Sequence, residues 1–181
     1  IGHESGPLFL NGGVSLGWNE YESTRHIVFP GMDRTADADY SGQSYTVFAD
    51  TGYRVPVQKF TITPIASLQY TRVDLDDYTE TGAGDVNLKV DSQGYDFLES
   101  GLGVKAERPF TYRGGAYVPE VHVKWLHEFL DPSLEQTAAY TAPGSAKFTT
   151  AGLKTADDTF NAGAGFSFLS CACNAKIWSI E

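Results

Sequence analysis

Phe60-Thr-Ile-Thr-Pro-Ile-Ala-Ser-Leu-Gln-Tyr-Thr71 alternates almost without interruption. Phe60, Ile62, Pro64, Ala66, Leu68 and Tyr70 fall on one parity; Thr61, Thr63, Ser67, Gln69 and Thr71 fall on the other. Successive side chains of a β-strand point to opposite faces, so this pattern means a strand with one apolar and one polar surface. A helix would place its apolar residues three and four apart. Pro64 removes a ladder donor, but it stands near the start of its strand, where pairing is weakest.

The same alternation recurs on both sides of this stretch. Residues 8 to 21 set Leu8, Leu10, Val14, Leu16 and Trp18 against Asn11, Gly13, Ser15, Gly17 and Asn19. Residues 43 to 53 set Tyr45, Val47, Ala49 and Tyr53 against Ser44, Thr46, Asp50 and Gly52, with Phe48 breaking the polar side. Residues 97 to 106 set Leu98, Leu102, Val104 and Ala106 against Glu99, Gly101, Gly103 and Lys105. In 117 to 129, Tyr117, Pro119, Val121, Val123 and Trp125 oppose Glu120, His122, Lys124 and Glu128; in 160 to 169, Phe160, Ala162, Ala164, Phe166 and Phe168 oppose Asn161, Gly163, Gly165 and Ser167. Asn174 to Glu181 reads as a last, shortened strand, making seven.

Strand length then separates the architectures. Globular strands run about 5–6 residues, whereas tilted strands that cross a bilayer need about 9–11. The connections alternate as well. Residues 22–42, 73–90 and 130–157 read as long loops rich in Asp, Thr, Gly and Ser, while 54–58, 107–116 and 170–173 read as short turns. Long loops at one end and short turns at the other are the habit of outer-membrane barrels. The expectation is an all-β, antiparallel, up-and-down transmembrane β-barrel. Its polar face, with Asp50, Glu99, Lys105, Glu120, His122, Lys124 and Glu128, would line a hydrated lumen. Its apolar face would meet membrane lipid, with Trp18, Tyr53, Tyr70, Trp125 and Phe160 near the strand ends as interfacial aromatics.

Composition agrees and narrows the function. The 181 residues carry 19 Gly, 10 Tyr and 11 Phe, a mix that leans towards strands. The net charge of −10 and the lack of a basic stripe argue against nucleic acid as a partner. No apolar run approaches the roughly 20 residues of a transmembrane helix. A barrel strand averages its two faces, so the mean hydropathy of −0.25 does not count against a membrane. Ile1 reads as an internal start with no signal peptide before it.

The polar residues give little sign of chemistry. His122 and His127 are five apart on a strand and face opposite sides; Glu120 shares a face with His122, yet a metal needs three or four ligands. Glu99, Glu120 and Glu128 invite comparison with a glycosidase carboxylate pair, but a lumenal charge network balanced by Lys105 and Lys124 is the simpler reading. Asp74-Leu-Asp-Asp77 with Glu80 lacks the ligand spacing of a calcium loop and reads as a solvated surface loop. Gly-x-Ser-x-Gly is absent, and no glycine pair is followed by the Lys-Ser/Thr of a phosphate loop. Cys171 and Cys173 are one residue apart; they read as small turn residues, with a strained disulfide or a metal contact as the alternatives. No cofactor is expected.

Several stretches resemble the β-domain of autotransporters, the translocator of type V secretion. Tyr117-Val-Pro-Glu-Val-His-Val-Lys-Trp-Leu-His-Glu128 resembles its strand with an early proline and a closing Trp-x-x-Glu. Gly52-Tyr53, Thr63-Pro64 and Leu68-Gln-Tyr70 resemble the preceding hairpin, and Tyr95-Asp-Phe-Leu-Glu-Ser-Gly-Leu-Gly103 the following strand. Glu80-Thr-Gly-Ala83 resembles a loop signature, and Asp157-Asp-Thr-Phe-Asn-Ala-Gly-Ala-Gly165 a late glycine-rich strand. The resemblance implies the outer membrane of a Gram-negative bacterium. It implies a barrel that anchors an N-terminal passenger and exports it to the cell surface. Its partners would be that passenger, the barrel-assembly machinery and periplasmic chaperones. It implies no enzyme, and no catalytic residue is carried over. A family barrel has more strands than the seven readable here, so residues 1–181 are expected to be a single barrel domain from the middle to late part of a larger barrel. Two alternatives stand beside this reading: another outer-membrane pore or anchor, and a soluble β-sandwich that buries its apolar faces against each other and binds a partner.

Overall fold

The computed structural model describes residues 1–112, 115–130, 134–152, 154 and 156–170, with the side chains of residues 169 and 170 outside the description. The strands are β1 (Gly2–Ser5), β2 (Leu8–Phe29), β3 (Met32–Tyr53), β4 (Val55–Val57), β5 (Phe60–Leu75), β6 (Tyr78–Thr79), β7 (Leu88–Val90), β8 (Gln93–Glu107), β9 (Phe110–Tyr112), β10 (Gly115–Glu128), β11 (Glu135–Tyr140), β12 (Phe148–Ala151) and β13 (Asp158–Ser170). A single 3₁₀ turn, Gly84–Val86, interrupts them among the described residues.

The main sheet runs β1-β2-β3-β5-β8-β10-β13, with β4 beside β5 and β9 beside β10. Its pairings are all antiparallel. The long strands therefore follow one another as an up-and-down meander, the topology of a barrel wall. Among the described residues the wall is open, with β1 and β13 at its edges. Six of the seven expected strands are β2, β3, β5, β8, β10 and β13; the seventh, 174–181, and the turn residues Cys171 and Cys173 lie outside the described residues. β1 is a strand the alternation did not announce.

Register carries the two faces intact across the sheet. Leu10, Thr51, Ala66, Leu102, Trp125 and Phe160 form one cross-strand row. The neighbouring row of opposite facing is Asn11, Asp50, Ser67, Gly101, Leu126 and Thr159. A slip of one residue in any pair would exchange the faces. The apolar face is uncovered: Val14 is 68% exposed, Trp18 72% and Phe160 76%. A soluble sandwich would bury these residues against a second sheet, so that alternative fails on packing.

The expectation of long loops needs correction. Residues 22–42 belong to β2 and β3, which pair without a break from Leu8↔Tyr53 to Phe29↔Met32. The turn is only Pro30-Gly31, with Gly31 at φ 87°, the residue pair that a two-residue reversal favours. Each arm has 22 residues, about 75 Å at roughly 3.4 Å per residue. The described residues of 73–90 and 130–157 likewise include strands. They supply β6, β7, β11 and β12, a second sheet in the order β12-β11-β7-β6. The asymmetry of the two ends persists among the described residues, because the other end carries the tight turns at Gly6-Pro7 and Gln58-Lys59 and the short strands β4 and β9.

The small sheet joins the tall hairpin through the bridge Asp37↔Thr81, whose amides each donate to the other's carbonyl at 2.9 and 2.8 Å. The buried apolar residues of the described chain, Ala36, Ala38, Ala83, Val90 and Ala138, all lie at this junction or in the sheet beyond it. The long strands thus have no core of their own.

Candidate functional site

The polar face gathers all seven residues singled out from the sequence, because each lies on the parity of Asn11 and Asp50 in the observed register. Asn11 Nδ2 donates to Asp50 at 3.0 Å. Lys105 Nζ lies 3.2 Å from Glu107 and 3.7 Å from Glu120, which stand opposite each other across the strand pair. His122 Nε2 and Asn161 Oδ1 are 3.2 Å apart. Glu99 and Glu128 are also directly opposed. Glu128 is held by the Leu98 amide at 2.6 Å and the Leu130 amide at 3.1 Å. Lys124 extends across Gly101, where an added Cβ would come within 2.3 Å of Lys124 Cε and 2.5 Å of Ser67 Oγ. The face is therefore a lattice of paired charges and amides lying close to the sheet. Among the described residues, no group of three His, Cys, Asp or Glu is arranged to hold a metal.

The apolar face forms a band of even depth. On β2 it runs from Leu8 to Trp18, on β3 from Tyr45 to Tyr53, on β10 from Tyr117 to Trp125 and on β13 from Phe160 to Phe168. Those spans match the roughly 9–11 residues that a tilted strand needs to cross a bilayer. Most begin or end on an aromatic residue. Trp18, Tyr70, Trp125 and Phe160 mark the end near the tall hairpin, while Tyr53 marks the short-turn end. Beyond the band, the polar tips of the aromatics find partners. Tyr70 Oη donates to Asp96 at 2.6 Å, and Trp125 Nε1 donates to Asp158 at 2.9 Å. Arg72 joins Asp74 at 2.8 Å and Asp96 at 3.2 Å, and His127 meets Asp158 at 2.9 Å, so a charged fringe follows the aromatic row.

At the tall end a third cluster appears that sequence reasoning misplaced. Glu80, read as part of a solvated loop, is only 7% exposed. Arg25 grips it with Nε at 2.9 Å and a second guanidinium nitrogen at 2.5 Å, and also donates to the Val86 carbonyl at 2.9 Å. The Leu88 amide donates to the same carboxylate at 2.7 Å. Burial pushes the Glu80 carboxyl up, but the Arg25 hydrogen bonds, the Leu88 amide and the Arg25 charge outweigh it and hold the group below its ordinary range. Beside this pair, Tyr21, Tyr40 and Tyr78 stack with ring centres 5.1 and 4.4 Å apart. Arg34 donates to the Ala83 carbonyl at 2.6 Å, and Gly82, at φ 97°, brings its Cα close to the Thr35 carbonyl. The clue was available in the sequence: Tyr21 and Arg25 continue the odd parity of β2, and Ala36, Ala38 and Tyr40 continue the even parity of β3.

An open antiparallel meander with bilayer-length strands, one uncovered apolar band, aromatic borders and a hydrogen-bonded polar reverse defines a class: the wall of an outer-membrane β-barrel. The comparison with known proteins makes the assignment specific. The family described as Autotransporter beta-domain matches residues 1–170, and the chain belongs to that family. It is similar to esterase EstA of Pseudomonas aeruginosa, 24% identical over 171 residues, covering 92% of this chain and 26% of that protein. It is also similar to an extracellular serine protease of Serratia marcescens, 23% identical over 124 residues, covering 68% of this chain and 12% of that protein. Outer membrane protein A of Rickettsia conorii is 26% identical over 121 residues, covering 64% of this chain and 6% of that protein. The chain thus spans a minor part of each of these relatives. Its place is the outer membrane of a Gram-negative bacterium, and its role there is that of a translocator barrel.

Proposed function

We propose that residues 1–181 form a single barrel domain, the middle to late part of a larger autotransporter wall, which anchors an N-terminal passenger and exports it to the cell surface. Asp50, Glu99, Lys105, Glu120, His122, Lys124 and Glu128 line a hydrated lumen. Trp18, Tyr53, Tyr70, Trp125 and Phe160 sit at the lipid boundary. The work is physical: paired backbone groups make the wall tolerable in lipid, and the polar face gives a passing segment a wet surface without trapping it in one ionic contact. The domain itself is not an enzyme and uses no cofactor. The esterase and protease names belong to whole proteins far longer than this stretch. Its partners are its own passenger, membrane lipid, the barrel-assembly machinery and periplasmic chaperones, but not nucleic acid.

The observation that carries the reading is the uncovered apolar band of bilayer depth backed by a polar face of charged and hydrogen-bonding side chains. It is tested by placing one charge on each side of the same strand. Val14→Arg puts the charge in the band and should cost about 2–4 kcal/mol of barrel stability, as expected for Arg near the bilayer midplane. Surface display of the passenger, read by protease shaving of intact cells, should fall with it. Ser15→Arg points to the other face and should leave display near wild type. Equal effects at the two positions would sink the proposal.

A further inference from the structure

At the short-turn end of the wall, two neighbouring turns leave a notch of about 450 Å³ between the β4–β5 reversal and the chain leaving β8. Its walls include Pro56, Lys59, Phe60, Arg108, Pro109 and Phe110. The Arg108 guanidinium lies over the Phe60 ring, 5.6 Å from its centre, so its apolar stem and planar head are held against an aromatic surface. Phe110 stacks on Tyr117, which belongs to the apolar face. The notch therefore opens on the lipid side of the aromatic border rather than on the polar face. The acidic neighbour Glu107 has the opposite parity and pairs with Lys105.

Charge is what singles this notch out. The chain is strongly acidic, and three of its six arginines are paired with carboxylates: Arg25 with Glu80, Arg54 with Glu4 and Arg72 with Asp74 and Asp96. Among the described residues, no ion pair joins Lys59 or Arg108 to a carboxylate. Two cations, Arg108 over the Phe60 ring and Lys59 in the turn beside it, are thus set at the foot of an apolar column formed by Phe60, Ile62 and Pro64. The two cations suit a phosphodiester, and the apolar column suits acyl chains.

We propose that this notch holds the headgroup of an anionic phospholipid of the periplasmic leaflet. The proposal rests on the membrane reading above and adds a ligand to it. The test uses the full-length protein purified in neutral detergent, with phosphatidylglycerol added and bound lipid counted by native mass spectrometry. Each cation contributes about fivefold, from the attraction of one basic residue to an anionic lipid surface, so Lys59→Gln with Arg108→Gln should weaken retention roughly 25-fold. Lys59→Gln alone, in an exposed turn, should weaken it about fivefold and keeps the test available where the double variant does not fold. Excess inorganic phosphate should fail to displace the lipid. Equal retention by wild type and variants, preference for phosphatidylcholine, or displacement by inorganic phosphate would overturn the proposal. Folding is read in parallel on gels with and without heating. A protein that stays soluble without detergent defeats the membrane reading itself, whereas a folded, detergent-dependent protein with no cation-dependent lipid defeats this site alone.

Discussion

Glu80 and Arg25 lie 55 residues apart in sequence and meet only because β2 rises far enough beyond the apolar band to reach the loop between β6 and β7. Arg25→Ala would leave a carboxylate at 7% exposure with only the Leu88 amide to compensate it. That should cost about 3 kcal/mol of local stability, the low end of the range for a buried charge that loses its partner, because Arg25 is itself a third exposed. Trypsin or subtilisin should then cut near residues 80–90, while the membrane band stays resistant. Acid should act at the same place. The folded Glu80 carboxyl titrates below its ordinary 4.5, so its stabilising contribution is complete above that value and disappears as the pH falls through the lower folded value. The protection factor of the Leu88 amide, its exchange rate divided into the intrinsic rate at the same pH, should therefore hold above the ordinary carboxyl value and fall as the pH drops below it. A protection factor that does not change on acidification would contradict the role given to the pair. Alternation alone assigned the seven polar residues to one face, since parity is a local property. It could not name their partners, because Lys105 meets Glu120 only after turn lengths have fixed the register.

At the level of elements, the alternation located the six long strands, and their wet-side ends were the hard part. Residues 22–42 look like a loop because Asp33, Asp37 and Asp39 dominate the eye, yet these are one face of β3, with Ala36, Ala38 and Tyr40 on the other. Above the membrane both faces of a strand can be polar, so the contrast that marks a spanning strand fades there. The Pro30-Gly31 pair was the usable signal. β6, β7, β11 and β12 are two to six residues long, too short for periodicity to register, and they exist through pairing with each other and with β3. The loop joining β6 to β7 holds two glycines at positive φ, Gly82 and Gly84, and Gly82 lies against backbone. Gly82→Ala would need a side chain at φ 97° with its Cβ 2.7 Å from the Thr35 carbonyl oxygen. The Asp37↔Thr81 bridge should open, lowering the stability of the small sheet by about 2 kcal/mol or more, as for a side chain forced into a conformation that only glycine adopts freely. Exchange protection of the Asp37 and Thr81 amides measures this directly, and protection equal to wild type would refute it.

Taken as a whole molecule, the chain inverts the usual plan of a soluble domain. Among the described residues the buried apolar ones are few and mostly alanine, and they gather beyond the membrane band, while large apolar side chains stay uncovered on the wall. Water would not tolerate that arrangement, and lipid requires it. The sequence made the wall legible because a bilayer imposes one strand length and one alternation on every strand. It left the tall hairpin and its small sheet unread, since water imposes neither. The most direct test is the behaviour of the full-length protein in cell fractionation. The account predicts that it pellets with outer membranes, resists carbonate, leaves only with detergent, and migrates differently on gels with and without heating. A protein released by carbonate as a soluble, monodisperse species would contradict it.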